Sequence, residues 1–355
     1  MEKKKETVFV GVSGGVDSSV VAYILKKQGY DVQGIFVKTW APDWLPCTWV
    51  DEKRDAMRVC AHLDIPFHFL DASEEYEKGV AEYMINEYKA GRTPNPDVLC
   101  NRVIKFGAMW AYTKAHGADF VATGHYARTD GEFLYKGVDD SKDQSYFLWM
   151  ITKEELSHIF LPIGDLQKKD VRKIARHAGL FTNTKKDSQG ICFLGEVDMH
   201  DFLLHYIEEK LGDVLNEHGE KIGSHTGVWF YTIGTRHGFT IEKKTPHDGA
   251  YYVIAKDIEQ NTITVSQDPA YGSQASVEQI GVNLREANYF VDSNPEKIYT
   301  AQIRYHGELY LVQLDGDTVY FKQAMPVIPL GQSLVLYDGD TLIGGGIIDT
   351  LVMAS

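Results

Sequence analysis

Thr7-Val-Phe-Val-Gly-Val-Ser-Gly-Gly-Val-Asp-Ser-Ser-Val20 is the stretch on which the fold turns. Its first half is β-branched and aromatic and reads as a short buried strand. Val20-Val-Ala-Tyr-Ile-Leu-Lys-Lys-Gln-Gly29 follows as a helix closed by a C-terminal glycine. A glycine turn between a strand and a helix start is an anion cradle. Its N–H groups point outward, the helix dipole favours negative charge, and Gly14 and Gly15 let an oxyanion approach the backbone.

The turn lacks the lysine of a Walker loop and the G-x-G-x-x-G spacing of a dinucleotide fold. Ser13-Gly-Gly-Val-Asp-Ser18 resembles instead the PP-loop of the ATP pyrophosphatases, which split ATP between its α and β phosphates to adenylate a substrate. The residues expected around ATP are Gly11, Val12, Ser13, Gly14, Gly15, Val16, Asp17 and Ser18, with Val37 and Gly124 at the ends of later strands.

Outward from that turn the chain alternates. Val32–Val37, Phe67–Leu70 and Ala118–Gly124 read as strands, with helices over Asp51–Leu63 and Ser73–Lys89, the latter capped by Ser73. Alternation predicts an α/β fold, a doubly wound parallel sheet with its ligand at the carboxyl ends of the strands. Two stretches interrupt it: Gly91–Asn101, whose two prolines predict a stiff non-helical loop, and Asp187–Phe193, ahead of a helix over Asp198–Lys210. Beyond Gly212 short strands recur between Asp-Gly and His-Gly turns. The expected domains are 1–205 (ATP pyrophosphatase), 206–275 (small, β-rich, tRNA-binding) and 276–355 (β-barrel).

At 355 residues, two or three domains are expected. Hydrophobic content of 44% and charged content of 24% are ordinary values for globular cores. No apolar run is long enough to span a bilayer and the start is charged, so the expected location is the cytoplasm. Net charge is −14, but unevenly spread: residues 1–200 carry −3 and residues 201–355 carry −11. Lys168, Lys169, Arg172, Lys173, Arg176, Lys185 and Lys186 face only Asp170 and Asp187 between positions 168 and 187. A solvated helix face is the preferred assignment for this run, although such a patch suffices to hold phosphates.

The four cysteines (Cys47, Cys60, Cys100, Cys192) form no C-x-x-C pair, which argues against zinc and against a disulfide scaffold. Cys60 sits on the apolar side of its helix and reads as core, and Cys47 has no basic neighbour. Cys100 and Cys192 lie in the two interrupting loops. Arg102 and Lys105 close to Cys100 are expected to stabilise a thiolate. Asp97, on the same stretch, is a candidate general acid/base or an Asx turn residue.

Pro94-Asn-Pro-Asp-Val-Leu-Cys-Asn-Arg102, Ile104-Lys-Phe-Gly107, Thr123-Gly-His-Tyr-Ala127, Lys142-Asp-Gln-Ser-Tyr-Phe-Leu148, Asp187-Ser-Gln-Gly-Ile-Cys-Phe193 and Ile303-Arg-Tyr305 together resemble the bacterial tRNA-specific 2-thiouridylases. His306 departs from that pattern, since another basic residue is common there. The resemblance implies ATP and Mg²⁺, adenylation of the C2 oxygen of wobble uridine, and sulfur delivered from a persulfide on Cys192. Cys100 then closes a disulfide with Cys192 or releases hydrosulfide. It further implies that Asn95, Pro96 and Asp97 line the pocket of the flipped base, and that Lys142, Asp143, Gln144, Arg304 and Tyr305 contact tRNA. Implied partners are tRNAs with lysine, glutamate or glutamine acceptors and a sulfur donor, either a cysteine desulfurase or a relay protein. His125 and Tyr126 are taken as structural and carry no role. The competing assignments are another PP-loop ligase, such as an amidotransferase-type synthetase or a tRNA-lysidine synthase, and a non-catalytic tRNA- or nucleotide-binding module. Neither needs the cysteine pair.

Overall fold

A computed structural model describes residues 5–45, 48–186, 198–242, 249–268, 280–323 and 328–353; Cys47 and Cys192 lie outside the described residues. Strand β1 (Thr7–Gly11) alternates as its pattern requires. Val8 and Val10 enter one core with helix α1 (Val16–Gln28) and helix α2 (Trp49–Leu63), while Phe9 enters a second core on the opposite face. Adding β2 (Asp31–Lys38), β3 (Phe67–Asp71), β4 (Phe120–Ala122) and β7 (Ile159–Phe160) gives an all-parallel sheet in the order β3-β2-β1-β4-β7. The order reverses direction between β1 and β4, so the loops after these two strands flank the crevice where such sheets bind ligands.

Between β4 and β7 the chain makes a hairpin, β5 (Ala127–Thr129) and β6 (Leu134–Lys136), that leaves this sheet. A separate five-stranded sheet follows: β8 (Gly212–Leu215), β9 (Lys221–His225), β10 (Thr240–Ile241), β11 (Tyr252–Asp257) and β12 (Thr262–Ser266). The terminal strands β13 (Ile280–Tyr289), β14 (Tyr299–Gln302), β15 (Leu309–Asp315), β16 (Thr318–Phe321), β17 (Ser333–Asp338) and β18 (Thr341–Met353) close into a barrel through β13–β18 pairing. The β5–β6 hairpin joins that barrel sheet at Thr341 and Leu342 of β18. Trp149 and Phe106 share one core with Val335, Tyr337 and Ile347 of the barrel, so the first and last parts of the chain are packed together.

Several local expectations shift. Ser73 is not the cap: Ala72 is, and Asp71 accepts the Ser73 N–H and hydroxyl. The helix it opens runs to Lys89 through a π-helical turn, Glu77–Ala81. The helix expected over Asp198–Lys210 is shorter, Met199–Leu204, with Asp198 as its cap. The largest change is at the second proline of the 91–101 stretch. Asn95 is extended, as a residue before proline must be, and Pro96 occupies the first helical turn, where its missing N–H costs nothing. A helix therefore starts at Pro96 and continues through a π-helical segment, Cys100–Ala108, to Ala115.

Glu87, which composition gives no reason to single out, is buried and tied to two arginines. Arg92 donates to it at 2.7 and 2.5 Å and Arg285 of β13 at 2.6 Å. Removing the carboxylate leaves two partly buried guanidinium groups without it. Glu87→Gln is expected to destabilise the protein by about 3 kcal/mol, read as a lower urea midpoint; a loss below about 1 kcal/mol would show the network to be solvent-screened.

Candidate active site

The loop after β1 is held from within. Ser18 Oγ receives the Ser13 N–H at 3.3 Å, and Ser19 Oγ donates to Gly15 O at 2.6 Å. Gly15 caps α1 and has no side chain to accept the first N–H groups of the helix, which suits an anion there. Gly14 has φ +71°, and a Cβ on it would lie 2.8 Å from Asp55 Cβ and 3.1 Å from Glu52 O of α2. Gly14→Ala thus adds strain and collision, and is expected to weaken ATP binding about 10- to 100-fold in a direct titration; unchanged affinity would mean the turn is not the nucleotide seat.

Gly124, just beyond β4, comes against this loop: a Cβ there would meet Ser18 N at 3.0 Å and Asp17 Cβ at 3.1 Å. Two residues on, Tyr126 donates its hydroxyl to Asp17 Oδ1 at 2.7 Å. Lys168 Nζ reaches both Asp17 oxygens, at 2.8 and 2.7 Å. Tyr126, expected to be merely structural, is thus in contact with the PP-loop carboxylate. Lys168 belongs to the run assigned to a solvated face, yet its side chain is only 12% exposed. The local excess of positive charge was the signal that pointed to it.

His125 is buried. Burial and the ammonium of Lys105 push its pKa well below the ordinary value, so the ring is neutral. Lys105 Nζ lies 3.3 Å from Nε2 and can only donate, so Nδ1 carries the proton toward Thr123 Oγ1 at 2.8 Å.

Cys100 is not in a loop. It is completely buried in the Pro96 helix, among Ala72, Tyr76, Ile104 and the carboxyl-end residues Val37 and Leu70. Burial works against a thiolate. Arg102, expected to stabilise one, pairs with Glu155, and Lys105 reaches His125. Cys60 packs as core, its thiol pushed up to about 12 by burial. Cys192 and its neighbours 187–191 and 193–197 lie outside the described residues, so the distance between the two sulfurs is not defined.

The start of the Cys100 helix meets the barrel. Burial, with the charges of Asp143 and Asp97, pushes the Tyr305 hydroxyl up to about 12. The Tyr305 ring lies 4.4 Å from Phe147 and 4.0 Å from His306. Tyr146, hydrogen-bonded to the Asn95 side chain, is buried beside them and donates to Ser333 O of β17 at 2.8 Å. Asn101 donates to Phe147 O at 3.0 Å. Tyr305 therefore packs on the Tyr146–Phe147 pair, and Asn95, Pro96 and Asp97 open the helix that Asn101 ties to Phe147.

Asp143 and Gln144 are engaged locally. Asp143 accepts from the Gly137 and Ser145 N–H groups, and Gln144 exchanges hydrogen bonds with the Tyr126 backbone. Arg304 turns toward the middle sheet and donates to Ile233 O at 3.0 Å.

Sequence profiles of three families match in order: "tRNA methyl transferase HUP domain" over residues 6–196, "tRNA methyl transferase PRC-barrel domain" over 200–267 and "Aminomethyltransferase beta-barrel domain" over 280–348. The chain is 44% identical to the tRNA-specific 2-thiouridylase MnmA of Geobacillus thermodenitrificans, covering 96% of this chain and 94% of that one. The Bacillus subtilis protein of the same name is 42% identical, with 98% and 97% covered, and that of Stenotrophomonas maltophilia 45%, with 96% and 93% covered. With a parallel sheet carrying a PP-loop, a small middle sheet, a terminal barrel and near-complete coverage at these identities, the chain belongs to the tRNA-specific 2-thiouridylase MnmA family.

Proposed function

We propose that this protein is a tRNA sulfurtransferase that replaces the C2 oxygen of wobble uridine with sulfur at the expense of ATP. The observation that supports this is that Val37, near the carboxyl end of β2, packs against the buried cluster that contains Cys100, while β2 pairs with β1, the strand that leads into the PP-loop. ATP occupies Gly11–Ser18 with Val37 and Gly124, and the uracil enters beside Asn95, Pro96 and Asp97. The C2 oxygen attacks the α phosphorus and pyrophosphate leaves, so that a poor leaving group becomes AMP. The terminal sulfur of a Cys192 persulfide attacks C2. Cys100 then attacks the Cys192 sulfur, the S–S bond breaks, sulfur stays on the base, AMP departs and Cys100 and Cys192 end as a disulfide. An external thiol or dithiol must reduce that disulfide before the next turnover. Asp97 moves the proton.

Mg²⁺ bound with the triphosphate would supply charge neutralisation for the departure of pyrophosphate. Both oxygens of Asp17 are engaged by Lys168 and one also by Tyr126; a carboxylate at the turn is the chemistry that would hold such an ion. Tyr305 supplies a stacking face, while Lys142 and Arg304 supply charge for the tRNA backbone. The proposed division is 1–205, 206–275 and 276–355; the break between the second and third family matches, 267/280, brackets its second boundary, whereas that between the first and second, 196/200, falls ahead of its first. Lysine, glutamine and glutamate tRNAs and a desulfurase or relay protein remain the proposed partners. Among the described residues no helix is long and apolar enough to cross a membrane, and action in the cytoplasm is proposed accordingly.

The test is pyrophosphate release with ATP and tRNA supplied singly and together. Release is expected only with both; equal release without tRNA would contradict adenylation of the base.

A further inference from the structure

The cradle Gly11–Ser19 contains no lysine, whereas a Walker loop carries its own. Its N–H groups and helix dipole amount to roughly half a positive charge, set against the several negative charges of a triphosphate. The fold brings two ammonium groups to it from far along the chain. Lys168 Nζ lies 2.7 and 2.8 Å from the Asp17 oxygens, and the Lys168 N–H donates to Asp139 Oδ2 at 2.9 Å, which fixes the root of the side chain. Lys185 Nζ donates to the Gly14 carbonyl at 3.2 Å and to Asp55 Oδ2 at 2.9 Å. Arg172 holds the Lys185 and Asn183 carbonyls at 3.0 and 2.9 Å. The Lys185 hydrogen bond keeps the Asp55 carboxyl below its ordinary value.

An ordinary surface pair from the same basic run shows the contrast. Lys173 and Asp170 are 64% and 41% exposed, against 12% and 28% for Lys168 and Asp17. Both Lys168 and Lys185 end on residues of the glycine turn itself, and nothing about a solvated helix face requires that.

We propose that Lys168 and Lys185 are the phosphate-binding cations of the cradle, held beside the turn by Asp17 and Asp55 and taken over by the β and γ phosphates of ATP. The inference rests on the assignment of ATP to the PP-loop. It gives two lysines of the basic run 168–186 a purpose that its spacing alone did not reveal.

The test titrates the full-length protein with ATP, AMP and inorganic pyrophosphate, each with Mg²⁺. The variants are Lys168→Met, Lys185→Met and the corresponding Gln and Arg substitutions. Gln removes the charge yet keeps a hydrogen bond to Asp17 or Asp55, so a folded charge-loss variant is at hand if Met unfolds the protein. Each charge-removing variant is expected to lose about 10- to 100-fold in affinity for ATP and pyrophosphate, with AMP changed less than about threefold and partial recovery by Arg. Equal ATP affinity in wild type and variants would overturn the inference and leave the ATP assignment standing. Parallel losses for ATP and AMP, unrelieved by Arg, would also overturn it, since the lysines would then only shape the loop. A wild-type protein that binds neither ATP nor pyrophosphate would remove the ATP assignment itself.

Discussion

Serine in place of Cys192 is expected to reduce sulfur transfer to tRNA by on the order of 10³-fold or more, while ATP binding and tRNA-dependent pyrophosphate release persist. The hydroxyl cannot carry a persulfide, but nothing in the adenylation half-reaction uses that sulfur. Cys100→Ser is expected to block turnover as well, at a later point, with C2 of the base joined to Cys192 through the unbroken S–S bond. Because Cys100 is fully buried in the Pro96 helix, its alkylation by iodoacetamide should be slow in the free protein and faster once tRNA is bound. Nucleoside mass spectrometry and a quench-flow assay for pyrophosphate separate the two half-reactions. A fully active Cys192→Ser protein would end the cysteine mechanism.

Asp97→Asn should be the other large effect. The change keeps shape and hydrogen-bonding reach but removes the proton acceptor, so the expected loss in the single-turnover rate is about 10²- to 10⁴-fold. Binding of tRNA should change far less, because Tyr305 and its aromatic neighbours Phe147 and Tyr146 keep their positions. Equal losses in binding and rate would instead make Asp97 a structural turn residue at the start of the helix.

What was legible in the chain was local. A β-branched strand, a glycine turn and an apolar helix are consecutive, so Thr7–Gln28 declares itself, and the period-two split of Val8 and Val10 from Phe9 follows from the strand alone. Pro96 was misleading, because a proline reads as a breaker until its position in the first turn is known, and only the structure, with Asn95 extended ahead of it, shows that position. That error carried over to Cys100, which was placed in a polar loop and is instead a buried helical residue. The rest was out of reach for a different reason: it depends on contacts between distant segments. Lys168 and Asp17 are 151 positions apart, Arg285 and Glu87 are 198 apart, and the β5–β6 hairpin finds its sheet partner only at Thr341. Charge runs and short β pairings look alike whether they face water or a partner. Tertiary packing decides which.

The most direct test of the central claim is mass spectrometry of nucleosides from unfractionated tRNA incubated with this protein, ATP, cysteine and a cysteine desulfurase. The account predicts 2-thiouridine at the wobble position, formed only when ATP is present. ATP consumed with no sulfur on the base, or sulfur incorporated equally well without ATP, would contradict it.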